Sequence, residues 1–358
     1  MGNHDIGKSD DPYIIAEIGV NHDGSESRAR ELIDHPAACE ANAVKFQYFT
    51  AGRLLSPAAG LAEYQRTAGA SDAFSMLQKL ELSLESLAAL ARHVRAADLD
   101  PIVTIFSLEH IPEISRIEWA AFKIASPDII NRPLIEALGA TGKPLIVSTG
   151  AALLDEVQQA ALWIGDREYA LMQCVSCYPT PAESAQLATI GVLKEICNAH
   201  VGYSDHTTDE LTGALAVAAG AVMLEKHLTY DRTAAGPDHA MSLDPAAFKR
   251  YVECARRAGQ MLGERNKTVQ DIEWNVREVA RQSIVTTRPL KAGTVIQRGD
   301  LTLKRPLGGL PPNCLADLIG RQIRVAIDAD MQLTVDHINM AEPPESENRN
   351  PRAQARAA

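Results

Sequence analysis

Two stretches carry the side chains best suited to chemistry: Gly202-Tyr203-Ser204-Asp205-His206-Thr207 and, one helical segment later, Leu224-Glu225-Lys226-His227-Leu228-Thr229. Each is the polar end of an apolar run. That pattern puts an imidazole at the carboxyl end of a strand, where α/β barrels keep their reactive groups. A neutral imidazole nitrogen binds divalent first-row metals, and two imidazoles with positions left for water and substrate describe an open, catalytic site. A single histidine at a strand end is usually only hydrogen-bonded. As a pair, His206 and His227 are the candidate metal ligands.

The elements that must position them recur along the chain. Apolar runs at 13–19, 43–48, 101–106, 121–126, 144–150, 169–175, 200–204 and 221–227 read as strands, with helical segments between them. The clearest helix follows Ser83, where Leu84, Leu87, Leu90, Val94 and Leu99 share one face. Asn131 with Pro133, and Asp155, mark two further helix starts. Eight strand-and-helix units predict a (β/α)8 TIM barrel, which catalyses at the carboxyl ends of its strands. An open, doubly wound sheet would need a glycine-rich phosphate loop after its first strand, and Asn21-His22-Asp23-Gly24 is not one. Pro36 falls inside the first helix, 26–39, where a proline costs about 3 kcal/mol, and the sequence offers no reason for it. Residues 50–76 are too long for an ordinary connection and read as a substrate loop, with Tyr64, Gln65 and Arg66 as contacts.

The predicted barrel occupies 12–263 and is followed by a polar, helix-prone linker, 264–282. A small, mainly-β domain follows at 283–341, with strand-like runs at 283–287, 294–296 and 322–326. Both ends, 1–11 and 342–358, read as disordered. With 358 residues and a net charge of −11, the chain has ample core material and no general attraction for nucleic acid or anionic membranes. The absence of a bilayer-length apolar run and of a signal-peptide layout predicts a cytoplasmic protein. Six scattered cysteines fit reduced thiols. Cys174 and Cys177, three apart on a strand, would face opposite ways, against zinc or redox use.

The inward strand-end residues are Glu17, Lys45, Gln47, Thr104, Lys123, Ser126, Ser148 and Ser204, together with His206 and His227. Either lysine alone could be a rim residue keeping its head in water. Two lysines and four hydroxyls on one rim of an acidic protein suit a phosphate and a carboxylate, bound beside a metal.

Seven motifs in order resemble the N-acetylneuraminate (sialic acid) synthase family. They are Glu17-Ile18-Gly19-Val20-Asn21-His22-Asp23-Gly24, Lys45-Phe46-Gln47, Phe122-Lys123-Ile124-Ala125-Ser126, Ser148-Thr149-Gly150, Cys177-Tyr178-Pro179-Thr180-Pro181, Ser204-Asp205-His206-Thr207 and Glu225-Lys226-His227. The small domain, with Lys291-Ala292-Gly293 and Lys304-Arg305-Pro306, is similar to the family's antifreeze-like (SAF) domain. The resemblance implies condensation of phosphoenolpyruvate with the open-chain aldehyde of an N-acyl mannosamine-type sugar, either N-acetylmannosamine or a 2,4-diacetamido relative. The products would be phosphate and a nine-carbon 2-keto acid. It implies a divalent ion, Mn2+ with Mg2+ or Co2+ as alternatives, held by His206 and His227 to polarise the aldehyde. Phosphoenolpyruvate would be held by Lys45, Thr104, Lys123, Ser126, Ser148 and Ser204. Glu17, Gln47, Tyr178 and Asp238 would contact sugar or water, and Arg305 would reach the sugar from the partner subunit of a domain-swapped homodimer.

Three residues depart from the family pattern: Ile105 where proline is frequent, Ala125 where glycine is, and Ser176 where a sugar-contacting asparagine can occur. Gly236-Pro237-Asp238-His239 followed by Ser242-Leu243 looks more like the neuraminate and legionaminate branch than the pseudaminate branch. Two other classes compete. A metal-dependent barrel hydrolase would use the same histidines but has no evident need of Lys45 and Lys123. A non-catalytic barrel whose small domain binds carbohydrate or a protein partner would have no need of either set.

Overall fold

In the computed structural model, which describes residues 6, 11–61, 65–66, 72–264 and 266–339, eight parallel strands close in sequence order into a barrel. They are β1 (Tyr13–Gly19), β2 (Ala43–Tyr48), β3 (Asp100–Ile105), β4 (Ala121–Ile124), β5 (Leu145–Ser148), β6 (Tyr169–Cys174), β7 (His200–Asp205) and β8 (Met223–His227). β4 and β5 stop short of their apolar runs because the chain turns at once, into a 3-10 helix over Ser126–Ile130 after β4.

Side chains alternate across each strand, and the alternation sorts the barrel into layers. Tyr13, Ile15, Ala43, Ile102, Ala121, Ile146, Ala170, Met172 and Met223 form the apolar interior. Two residues further along, the same face turns polar: Glu17, Lys45, Thr104, Lys123, Ser148, Ser204 and Glu225, all buried. The outward face packs against helices, through Leu32 and Ile33 of Glu26–Ala38, Leu87, Leu90 and Val94 of Leu84–Ala96, and Phe248 and Val252 of Pro245–Leu262. Burying side chains of this size stabilises by about 1.5–3 kcal/mol each.

Helix starts follow ordinary capping chemistry. Ser83 accepts from the Ser86 amide, Asn131 from Leu134 and Asp244 from Ala247. Pro36 sits two residues from the end of the helix Glu26–Ala38, so its missing N–H removes a bond only in the final turn, and its carbonyl accepts from Ala41.

The chain divides into two units, 1–264 and 265–358. In the second, β9 (Ser283–Thr286) and β10 (Leu301–Lys304) pair antiparallel over a core that includes Ile284, Leu301, Ile323 and Leu333. The runs expected as strands at 294–296 and 322–326 make only single bridges, Val295 with Gln322 and Ile323 with Ile338. β10 was not among the sequence-derived strands. Within 264–282 the helix Trp274–Ala280 forms, and the Glu278 carbonyl accepts from the Leu307 amide at 2.9 Å. Residues 342–358, and 1–11 apart from Ile6 and Asp11, lie outside the described residues. No helix among those described is long and apolar enough to cross a membrane.

Candidate active site at the strand ends

The barrel register brings the expected residues together. Glu17 lies opposite Lys45 on β2 and His227 on β8, Gln47 opposite Thr104, Thr104 opposite Lys123, and Ser204 opposite Glu225. β1 is irregular between Glu17 and Gly19, where Gly19 takes a positive φ of 32° and a Cβ would stand 2.8 Å from Gln47 Nε2. Glycine there lets the strand turn away without displacing the Glu17–Gln47 contact.

One side of the site is a lattice of buried charges. Lys45 pairs with Glu17 and donates to Thr104 Oγ1 at 3.0 Å, with Glu225 at 3.6 Å. Lys123 donates to both Glu225 oxygens, at 3.2 and 3.0 Å, and Ser204 donates to Glu225 Oε1 at 3.1 Å. Gln47 Nε2 donates to Glu17 Oε1 at 3.0 Å. Burial alone would raise the Glu225 pKa, but Lys123 and Lys45 outweigh it and hold the carboxyl at about 2. Burial likewise pulls Lys45 down, and Glu17 with Glu225 more than reverses it. Lys123 goes the other way: burial lowers it further than Glu225 restores. Beside them Ser126 Oγ accepts from the Gly150 amide at 3.0 Å, where a Cβ on residue 150 would come within 2.9 Å of that hydroxyl. Ser148 Oγ is buried with no hydrogen-bond partner among the described residues, so a hydroxyl is left for a ligand.

The other side is built of imidazoles. His206 and His227 have ring centres 5.5 Å apart. The Val175 carbonyl, 2.8 Å from His206 Nδ1, fixes the proton there and turns Nε2 into the acceptor. Tyr178 lies against the same ring, 4.2 Å between centres. Burial, then the neighbouring His206, holds the His227 pKa well below its ordinary value, so this ring is neutral, as a metal ligand must be. Its Nδ1 has no hydrogen-bond partner among the described residues and faces Asp238 Oδ2 at 3.6 Å. With metal–nitrogen bonds of about 2.1 Å, two imidazoles sharing an ion have centres roughly 5 Å apart, so the pair fits. Among the described residues no three His, Cys, Asp or Glu side chains converge as a ready metal cluster. Any ion held here would therefore depend on water and substrate for its other positions. Asp238 is set in place by its loop: Ser242 Oγ donates to its carbonyl at 2.6 Å, and Asn21 Nδ2 donates to Ser242 Oγ at 2.8 Å. Burial, then Glu17, raises the Asp238 carboxyl to about 7.

The NeuB family model matches residues 32–267 and the SAF domain model residues 281–339. The chain belongs to the NeuB family. It is 35% identical to an N,N'-diacetyllegionaminic acid synthase of Legionella pneumophila, across 91% of this chain and 94% of that protein. It is 34% identical to another, from Campylobacter jejuni, across 86% and 94%. Among solved structures, the N-acetylneuraminic acid synthetase of Leptospira borgpetersenii, in complex with citrate, superposes with a TM-score of 0.71 at 30% identity, over 77% of this chain and 93% of that one. The chain is thus an enzyme of the sialic acid synthase type.

In this NeuB-family barrel, twelve of the sequence-derived site residues line or border one cleft, and Arg305 lies exposed in the second unit. From the expected substrate loop, Gln65 and Met76 line the cleft, Arg66 is exposed, and Tyr64 lies outside the described residues. Two residues of the site escape the sequence reading. Glu225 ties Lys45, Lys123 and Ser204 together, and counting back two from His227 would have shown that it faces inward. Cys174, buried, accepts from Ser126 at 3.6 Å and lies 3.7 Å from His206 Nδ1, whereas Cys177 is exposed.

Proposed function

We propose that this synthase condenses phosphoenolpyruvate with the open-chain aldehyde of an N-acyl mannosamine-type sugar, releasing phosphate and a nine-carbon 2-keto acid. The observation that carries the reading is the cleft itself, where ammonium groups, hydroxyls and two imidazoles converge at one barrel rim. A hydrolase has no use for Lys45 and Lys123 in their present places. Lys45, Thr104, Lys123, Ser126, Ser148 and Ser204 bind the anionic groups of phosphoenolpyruvate and stabilise phosphate as it leaves. Glu17 and Glu225 hold the ammoniums in position before the anion arrives. A divalent ion on His206 and His227, Mn2+ in the first instance, would supply Lewis-acid polarisation of the aldehyde. Glu17, Gln47, Tyr178 and Asp238 orient the sugar and the attacking water.

Similarity to two N,N'-diacetyllegionaminic acid synthases favours a 2,4-diacetamido sugar over N-acetylmannosamine. The test is phosphate release from phosphoenolpyruvate with either sugar, with and without Mn2+. Release with the diacetamido sugar at higher kcat/KM supports the reading. Release with neither sugar refutes it.

Arg305, exposed in its own unit, completes the sugar site of the partner in a domain-swapped homodimer, by symmetry in both directions. Mixing His206→Ala with Arg305→Ala tests this. Subunit exchange in an equal mixture restores roughly a quarter of wild-type activity if the arginine acts across the dimer. Mixed dimers without recovered activity contradict it.

A further inference from the structure

The histidines are gripped from behind. On the outward faces of β7 and β8, Asp205 lies in register with Lys226, each one residue before a candidate metal ligand. Both side chains are completely shielded from solvent, and their charges meet at 3.0 Å. The ammonium also donates to the Thr207 carbonyl at 2.6 Å and to Thr207 Oγ1 at 3.3 Å. Asp205 Oδ1 accepts from the Thr207 amide at 2.9 Å. One buried cation therefore holds the residues on both sides of His206, while its own next neighbour in the chain is His227. The aromatic ring of Tyr251, 5.2 Å from the ammonium, closes the site from the helix Pro245–Leu262.

Stability does not account for this pair. Taking two charges out of water costs several kcal/mol per ion, and packed apolar side chains of similar volume are often equal or better in such places. Around the pair Tyr203, Leu224 and Phe248 are fully buried, and the hydroxyls beside it, those of Thr207 and Thr212, are buried as well. What an apolar pair lacks is direction: it would not fix the chain at residues 205–207 against β8. Metal sites demand such direction, because a shift of an ångström in one ligand loses the bond.

We propose that Lys226 and Asp205 are positioning residues, setting the separation and orientation of His206 and His227 for a shared divalent ion. The inference rests on the metal reading above, and the experiment separates the two. Mn2+ is titrated calorimetrically, and followed by its electron paramagnetic resonance, into wild type, Lys226→Met, Asp205→Asn and Thr207→Val, each shown to be folded by circular dichroism. Phosphoenolpyruvate binding is measured alongside. The expected result is Mn2+ affinity weakened by about 10–100-fold in Lys226→Met, the range for groups that orient metal ligands. Asp205→Asn weakens it less, and so does Thr207→Val, which removes the hydroxyl that Lys226, Thr212 and the Asp209 amide all contact. Phosphoenolpyruvate binding stays within threefold of wild type throughout, which general loosening of the barrel would not allow. Wild-type Mn2+ affinity in folded Lys226→Met overturns the positioning role and leaves the metal reading standing. If Lys226→Met does not fold, wild-type affinity in Asp205→Asn has the same force. Failure of the wild type to bind Mn2+ overturns the metal reading and the positioning role with it.

Discussion

The two sides of the cleft are prepared in opposite ways. On the lysine side every ammonium already has a carboxylate, Lys45 with Glu17 and Lys123 with Glu225, so the charges are neutralised before any ligand arrives. On the histidine side one ring nitrogen is left open: His227 Nδ1 has no hydrogen-bond partner among the described residues, and Asp238 stands 3.6 Å away, while His206 Nδ1 is held by the Val175 carbonyl. The difference follows from what each side can tolerate. Two unpaired ammoniums buried together would lose their protons or force the barrel open, whereas a neutral imidazole can wait without a partner at modest cost. On the proposed reading, the lysine side is one where an anion would share cations with built-in counter-ions. The histidine side is one where a ligand completes an unfinished shell.

Breaking the histidine side should have the largest effect. His206→Ala and His227→Ala each abolish turnover with the fold retained, since both rings lie at the rim rather than in the apolar layers. A chelator reproduces the loss in wild type. Near-normal turnover in either variant, or in the presence of chelator, contradicts the paired-ligand account.

The lysine side should respond in substrate binding before turnover. Lys45→Ala and Lys123→Ala each remove a charge-assisted contact of about 1.5–3 kcal/mol, raising the KM for phosphoenolpyruvate about 10–100-fold and that for the sugar much less. Lys45→Ala also leaves Glu17 facing Glu225 without its cation, so it lowers the melting temperature as well. Equal losses for both substrates would mean a packing defect instead.

A smaller effect sharpens the contrast. Asp238 has its carboxyl raised from 3.8 to about 7 by burial first and Glu17 second. Below pH 3.8 the folded and unfolded chains both hold that proton. Between there and 7 only the folded chain keeps it, so the contribution to stability declines as pH rises, and above 7 the buried carboxylate carries its full cost. In ion-free protein Asp238→Asn therefore raises the melting temperature at pH 8, by about 5 °C, and not at pH 4, while lowering turnover. Thermal melts at the two pH values check it, and an equal change at both would sink the account.

Much of this contrast is legible in the sequence. The eight apolar runs end where β1 to β8 end, within a residue or two, because a strand buried on both faces must be apolar until it reaches the rim. Lys45, Lys123, Ser148 and Ser204 stand out for the same reason: each interrupts an apolar alternation. Glu225 does not, since it sits in a run read for its histidine, and its task depends on lysines brought beside it from β2 and β4. Lys226 is less legible still. Its meaning lies in the β7–β8 register and in Thr207, neither of which a single-sequence period displays. In the small domain the runs at 294–296 and 322–326 carry a strand pattern yet make only single bridges, while β10 is not marked out in the sequence.

The separation of tasks between the two sides is tested most directly by calorimetric titration of phosphoenolpyruvate in the absence of metal, with wild type, Lys123→Ala and the double variant His206→Ala/His227→Ala compared. The account predicts that the histidine variant binds phosphoenolpyruvate within threefold of wild type, while Lys123→Ala weakens binding at least about tenfold. Loss of binding in the histidine variant as large as in Lys123→Ala would contradict it.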